Sequence, residues 1–511
     1  MMHTETYTYQ YGTSEPWLLS REMNKGNAIA VLLMIVVSVA ASLILVLTYG
    51  NIFAAGAFVG MTVVVALTLY RVQWGFYLFV GFVLLFDQFD IPEFYPLTLK
   101  VAYFRNIKEI PYLPSLDAAV FNPLELHLLF ILLVWFVVIG FKKRVHFNRI
   151  PLWGSAVAFF LGVICFVAYG LQRGGEFLVA LWEVRALFYF GALYFLVPQI
   201  IQTKEDLRSL MWICIIAISI KAFQGIARFV MLGFTLGGIP TLTNHEDPLF
   251  ILSLIVLLFA LVLYNADEGQ RFVLLLLLFP LLMGFFVAQR RAAYAAMAMS
   301  FIALFVALPS RERWLLAKTG MVFVLIVGVY SAALWNSESR FASPVRLIKT
   351  AIVEDKEAQG DRYYSNLYRD FEKYNLASTV KFSPVIGVGF GNKYFQPIPL
   401  ANIPFPLRDY IPHNEILWLI VKTGAVGFFL FWFFLNCFAC SASSVLMRLN
   451  DPYVKSVCVV AIVAVVGQIT VSYYDLQLTY YRNMVYLGTL TGVVHSLEHI
   501  DVQLKKESKE S

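Results

Sequence analysis

From Asn27 to Tyr70 the chain runs for 44 residues without an Asp, Glu, Lys or Arg. A single helix crosses a bilayer with about 20 apolar residues, so the run predicts two spans joined near Gly50-Asn51. The same composition persists along all 511 residues, of which 59% are hydrophobic and 14% charged. An ordinary soluble domain carries about 25% charged residues. The predicted fold class is therefore an all-α polytopic integral membrane protein.

Apolar runs bounded by polar breaks predict about 14 spans, the first at 27–48 and the last at 479–496. Twelve is the alternative, because the third run (74–88) is short and those between 272 and 309 are tightly joined. Residues 1–26 are polar, and the apolar run after them exceeds the ~7–15 residue core of a signal peptide, so the N-terminus is expected to be retained. The basic residues fall mainly in alternate short loops: Lys142-Lys143-Arg144 with Arg149, Lys204 with Arg208, Arg311 with Arg313 and Lys318, and Arg448 with Lys455. The positive-inside rule then places both termini in the cytoplasm. The expected organisation is a cytoplasmic segment 1–26, a bundle of about 11 helices over 27–335, a larger extracytoplasmic loop at 336–412, further membrane helices over 413–496 and a cytoplasmic tail 497–511. The net charge of +6 is parcelled among loops, which points to membrane lipids and to no nucleic acid. All five cysteines lie in apolar runs, and Cys437 and Cys440, despite their spacing, read as packing.

Several polar residues oppose this pattern. Arg185 stands at the expected outer start of the sixth span, Arg290-Arg291 occupy an outer turn, and His413 opens the descent into the twelfth. Guanidinium forks bind phosphate oxygens in pairs, and an imidazole takes a proton near neutral pH, so this set suits a phosphate-bearing substrate. The plainer alternatives are a local Glu183–Arg185 salt bridge or head-group snorkelling for the arginines, and an interfacial anchor for His413. Within 336–412, Tyr364, Tyr368, Phe371 and Tyr374 form a helical stripe with Arg362, Arg369 and Lys373 off it, which predicts an amphipathic helix resting on the membrane, either capping the bundle or roofing a cavity. Gly387, Gly389 and Gly391 lie just upstream of His413, where alternating glycines permit sharp turns and close approach to a ligand. Asp87, Asp90, Glu93, His245, Glu246 and Asp247 are the candidate metal ligands on the outer face, but their spacing is poor, and neither a metal nor another cofactor is expected. Lys221, Arg228 and Lys422 are the ionisable residues expected at depth; they show no repeat symmetry of the kind that marks transporters.

His413-Asn414, nine residues, then Gly424 and Gly427, together with the stretch from Pro384 to Gly391, Gln289-Arg290-Arg291-Ala292-Ala293 and Arg185, resembles the O-antigen ligase and polymerase family, mainly over residues 180–440. The resemblance implies a GT-C-class helical bundle in the bacterial inner membrane with an extracytoplasmic site. It implies transfer of a glycan from an undecaprenyl diphosphate carrier to a hydroxyl of another glycan, of lipid A core or, in some branches, of protein. His413 would be the catalytic base and Arg185 and Arg291 the diphosphate ligands, with Arg290 the departure that leaves open which arginine points inward. Asn414, Arg362 and the five glycines would support the site. Metal-independent transfer fits, because a lipid diphosphate is already a good leaving group and fixed cations stabilise it. A lipid-linked glycan flippase or transporter is the competing function.

Overall fold

The computed structural model describes residues 16–90, 94–110, 120–141, 148–234, 242–337, 342, 345, 346, 349, 361–403 and 405–510. Its helices are α1 (Pro16–Leu47), α2 (Ile52–Tyr70), α3 (Val72–Leu85), the short α4 (Leu97–Lys100), α5 (Pro123–Phe141), α6 (Trp153–Gln172), α7 (Phe177–Ile200), α8 (Lys204–Met231), α9 (Asp247–Leu263), α10 (Glu268–Val287), α11 (Arg291–Ala307), α12 (Ser310–Leu334), α13 (Asp361–Phe382), α14 (Glu415–Arg448), α15 (Pro452–Ser472) and α16 (Tyr481–Glu510). Each expected span falls on one of these helices. Among the described residues, nine helices are long and apolar enough to cross a membrane, and Met34–Leu47, α3, α9 and α11 are apolar but shorter. This is a multi-pass helical membrane protein.

The centre of the bundle is α7 against α16, with α15 and α9 beside them. Gly488 and Gly492, four residues apart on α16, let the two backbones touch: a Cβ on either would lie 2.8 Å from a carbonyl oxygen of α7, that of Phe190 or Leu193. Small residues at this spacing are how membrane helices pack closely. Because α16 is enclosed by protein rather than lipid, it also carries buried polar groups. Arg482 is fully buried, donating to Glu246 at 2.8 Å, to Asp247 at 2.9 Å and to the carbonyls of Val83 and Leu84.

The sixth span differs from expectation. It begins at Phe177 rather than near 183, so Arg185 lies eight residues, or about 12 Å, into the helix instead of at its mouth. Its charges do not end the helix because each is matched: Glu183 pairs with Lys422 at 2.6 Å and Arg185 with Glu125 at 3.0 Å. The alternative Glu183–Arg185 bridge is therefore not the pairing adopted.

α14 is broken at Gly424, whose φ of 62° and ψ of −165° interrupt the helix. The segment from Pro384 to Gly389 fills the break. Val388 and Gly389 donate N–H groups to the carbonyls of Val421 and Lys422, both at 2.9 Å, while Ala425 and Val426 donate to Pro384 and Val385 at 2.9 and 3.1 Å. Irregular backbone at membrane depth persists only where protein satisfies it, and here the exchange is reciprocal.

Candidate active site

The site is assembled on the first turn of α14. Asn414 caps the helix, its side-chain oxygen accepting from Leu417 N at 2.9 Å. Glu415 is buried and accepts the N–H groups of Gln477, Leu478 and Thr479 and the Thr479 hydroxyl, which ties the 473–480 connection to α14. His413 donates its backbone N–H to Glu372 Oε2 at 2.9 Å, and its Nδ1 lies 3.2 and 3.3 Å from the two Glu372 oxygens. A carboxylate there accepts from Nδ1, which in the neutral ring puts the lone pair on Nε2. Among the described residues Nε2 has no hydrogen-bond partner. Tyr368 packs its ring edge against the imidazole at 5.6 Å.

Glu372 and Tyr368 belong to α13, the expected amphipathic helix. Its orientation is the reverse of a simple apolar-inward helix: Tyr364, Phe371 and Tyr374 are exposed, whereas Glu372, Asn375 and Thr379 are buried. Asn375 clamps the backbone of Ile398 and Thr379 that of Phe395, which fixes the roof to the chain leading toward His413. Asn366, Arg369 and Glu372, at successive three-residue steps, share one face. Asn366 accepts from Arg291 Nη2 at 2.8 Å, Glu372 holds His413, and the charge of Arg369 bears on Asp475.

Asp475 lies in the connection that Glu415 anchors. Its Oδ2 is 3.1 Å from His245 Nδ1 and 3.4 Å from Arg290 Nη1. Burial works to raise the Asp475 pKa, but His245, Arg290 and Arg369 together hold the carboxyl well below the usual range. Arg290 thus meets this carboxylate directly, and the Arg369 charge acts on it. The Nε atoms of Arg290 and Arg369, the Tyr368 hydroxyl and Asn414 Nδ2 are buried without a hydrogen-bond partner among the described residues. Burial, then the Glu372 carboxylate, pushes the Tyr368 pKa up to about 12, so the phenol stays protonated. All four groups can donate, and buried donors left unpaired call for an acceptor-rich ligand. The guanidinium donors among them favour an anionic one.

Arg290 and Arg291 therefore both reach this cluster, the former to the 473–480 connection and the latter to the roof. Arg185 does not touch them among the described contacts. Its guanidinium donates to Val120 O at 2.7 Å, Asn106 Oδ1 at 3.1 Å and the Tyr481 hydroxyl at 3.5 Å, with Nε beside Glu125 but not aligned for a hydrogen bond. The Arg362 side chain lies outside the described residues. Gly387, Gly389 and Gly391 all have positive φ, but they approach protein backbone: a Cβ on Gly387 would lie 2.5 Å from the Lys422 carbonyl carbon and one on Gly389 2.3 Å from Gly170 Cα. Gly391 donates its N–H to Glu183, and Gly427 gives room to Phe166.

The other charged candidates are engaged within the protein. Asp87 accepts from Lys221, Asn244 and Thr98, and Arg105 pairs with Asp90 at 3.4 Å. Arg228 lies over the Phe94 ring at 5.4 Å. Glu93 is outside the described residues. Glu372, Asn366 and Asp475 escaped the sequence reading, and Arg369 entered it only as an off-stripe charge. The polar face of α13 has its own three-residue spacing beside the aromatic stripe, whereas Asp475 carries no local signal.

No curated protein matches the chain. A family model described as Wzy_C, O-antigen ligase, matches residues 272–432, a stretch that includes Arg290, Arg291, the roof helix, His413 and the break in α14. Through that segment, about a third of its length, the chain is similar to the O-antigen ligase family.

Proposed function

We propose that the protein transfers a glycan from undecaprenyl diphosphate to a sugar hydroxyl at the extracytoplasmic face of the bacterial inner membrane, as in O-antigen or exopolysaccharide polymerisation or ligation to lipid A core. The observation that carries this reading is the His413–Glu372 pair beside a carboxylate that Arg290 meets and the Arg369 charge acts on, with unpaired buried donors around them. The acceptor hydroxyl attacks the anomeric carbon and gives its proton to His413 Nε2 as the bond to the diphosphate oxygen breaks. The lipid diphosphate leaves with the electron pair, and Arg290, Arg291 and Arg369 stabilise its charge without a metal. Arg185 ties α7 to Glu125 of α5 and to Asn106 and Val120 through its terminal nitrogens and the ion pair. The extracytoplasmic assignment rests on the excess of Lys and Arg in the loops at the other end of the bundle.

The test is reconstitution of the full chain with an undecaprenyl diphosphate oligosaccharide and, as acceptors, free oligosaccharide, lipid A core and a Ser- and Tyr-bearing peptide. Lengthened glycan or glycosylated core supports the reading and separates polymerase from ligase. Glycosylated peptide alone would make it a protein O-oligosaccharyltransferase, and transbilayer movement without transfer would make it a flippase.

A further inference from the structure

His245 is the member of the run Asn244-His245-Glu246-Asp247 whose side chain is not drawn into the bundle. Asn244 donates to Asp87, and Glu246 and Asp247 receive Arg482. Three anchors thus fix the turn, leaving the His245 side chain about one-third exposed, at 34%. Its Nδ1 meets Asp475 Oδ2, the same oxygen that Arg290 approaches, while its ring stands edge-on to Tyr480 at 6.1 Å. Asp475 in turn is held in place through the neighbouring backbone that Glu415 clamps. The site therefore contains two imidazoles, each with a carboxylate on Nδ1. His413 has Glu372 on the roof, and His245 has Asp475 on the floor beside the arginines.

A carboxylate on Nδ1 takes that N–H and leaves Nε2 as the working nitrogen, an acceptor in the neutral ring and a donor in the imidazolium. Arg290 approaches the carboxylate that supports His245, and the Arg369 charge acts on it. We propose that His245 is a phosphate ligand of the donor site, binding as the imidazolium with Nδ1–H on Asp475 and Nε2–H on an oxygen of the lipid diphosphate alongside Arg290, while His413 serves the acceptor hydroxyl. This rests on the donor class proposed above and divides the labour between the two histidines. No bond is made or broken at His245. Its contribution is to hold the diphosphate, so it acts on donor affinity.

The experiment measures binding of undecaprenyl diphosphate and of undecaprenol to the purified full chain, and donor and acceptor KM in transfer. His245→Ala should weaken diphosphate binding about ten- to a hundredfold, the range of a charge-assisted hydrogen bond, and leave undecaprenol binding and acceptor KM unchanged. His245→Gln, which keeps a donor, should recover part of the donor affinity, and kcat should fall far less than in His413→Ala. Unchanged donor affinity in His245→Ala would overturn the inference and leave the proposed function standing. A joint fall in affinity and melting temperature, unrescued by His245→Gln, would equally overturn it by making the residue structural. Failure of the parent protein to bind the diphosphate lipid would instead refute the donor class.

Discussion

Glu372→Gln changes one atom of the site and separates chemistry from binding. In the parent the carboxylate accepts both the His413 backbone N–H, at 2.9 Å, and Nδ1–H. The amide can keep the first bond through its oxygen, but it then offers an N–H to Nδ1. The imidazole proton moves to Nε2, and the lone pair that receives the acceptor proton is lost. Removing general-base assistance costs about 10²- to 10⁴-fold in rate, or roughly 3–5 kcal/mol of barrier. Arg290, Arg291 and Arg369 are untouched, so donor affinity should hold. Single-turnover transfer in proteoliposomes checks the rate, and lipid binding checks the affinity. Because Glu372 acts through His413, Glu372→Gln should add little to His413→Ala. Turnover of the single variant within about threefold of the parent would refute the orienting role, since that is well under the smallest effect expected of a lost base.

Gly424→Ala should lower thermal stability sharply, because a Cβ there would lie 2.3 Å from the Val385 carbonyl, while Gly233→Ala, also at positive φ but with nothing within 4 Å, should show only the ~1–2 kcal/mol cost of the left-handed conformation. Melting in detergent distinguishes them. Lys422→Met leaves Glu183 buried and unpaired and should cost about 3–5 kcal/mol, and adding Glu183→Gln should restore part of it; a double variant worse than the single would count against the pairing. In a background lacking the five native cysteines, single cysteines at 340, 360 and 400 should react with an impermeant thiol reagent in spheroplasts and those at 145, 206 and 508 should not. Labelling at 145 or 508 would invert the topology and remove the proposed extracytoplasmic site.

Hydropathy made the helices legible, since lipid selects composition directly. It placed the start of α7 wrongly because Glu183 and Arg185 look like a membrane boundary until Lys422 and Glu125, hundreds or tens of residues away, neutralise them. His413, Arg290 and Arg291 were readable as unusual polar residues at span ends. Their partners were harder: Asp475 comes to Arg290 across 185 residues of chain, and a lone carboxylate after an apolar helix carries no pattern. The glycines were noticed for the right property and given the wrong neighbour. Positive φ and close approach are both present, but whether a glycine meets ligand or backbone depends on what the fold brings opposite, here the interrupted turn of α14.

That interruption explains why roof, glycine segment and histidine follow one another in the chain. α13 ends at Phe382, the next residues plug the break at Gly424, and the chain then returns past Asn375 and Thr379 to reach His413. The roof is therefore held at its C-terminal end by four backbone hydrogen bonds exchanged with α14, and along its polar face by Glu372 on His413, at the start of that same helix. Lys422 locks the arrangement from below, bonding both Glu183 of α7 and the Asn392 carbonyl of the returning chain. A side chain on a loop is ordinarily imprecise; His413, whose partner helix is pinned to two points of α14, is held close to one geometry. Precision of this kind matters most when the acceptor is a mobile glycan, because the enzyme then supplies the alignment that the substrate lacks.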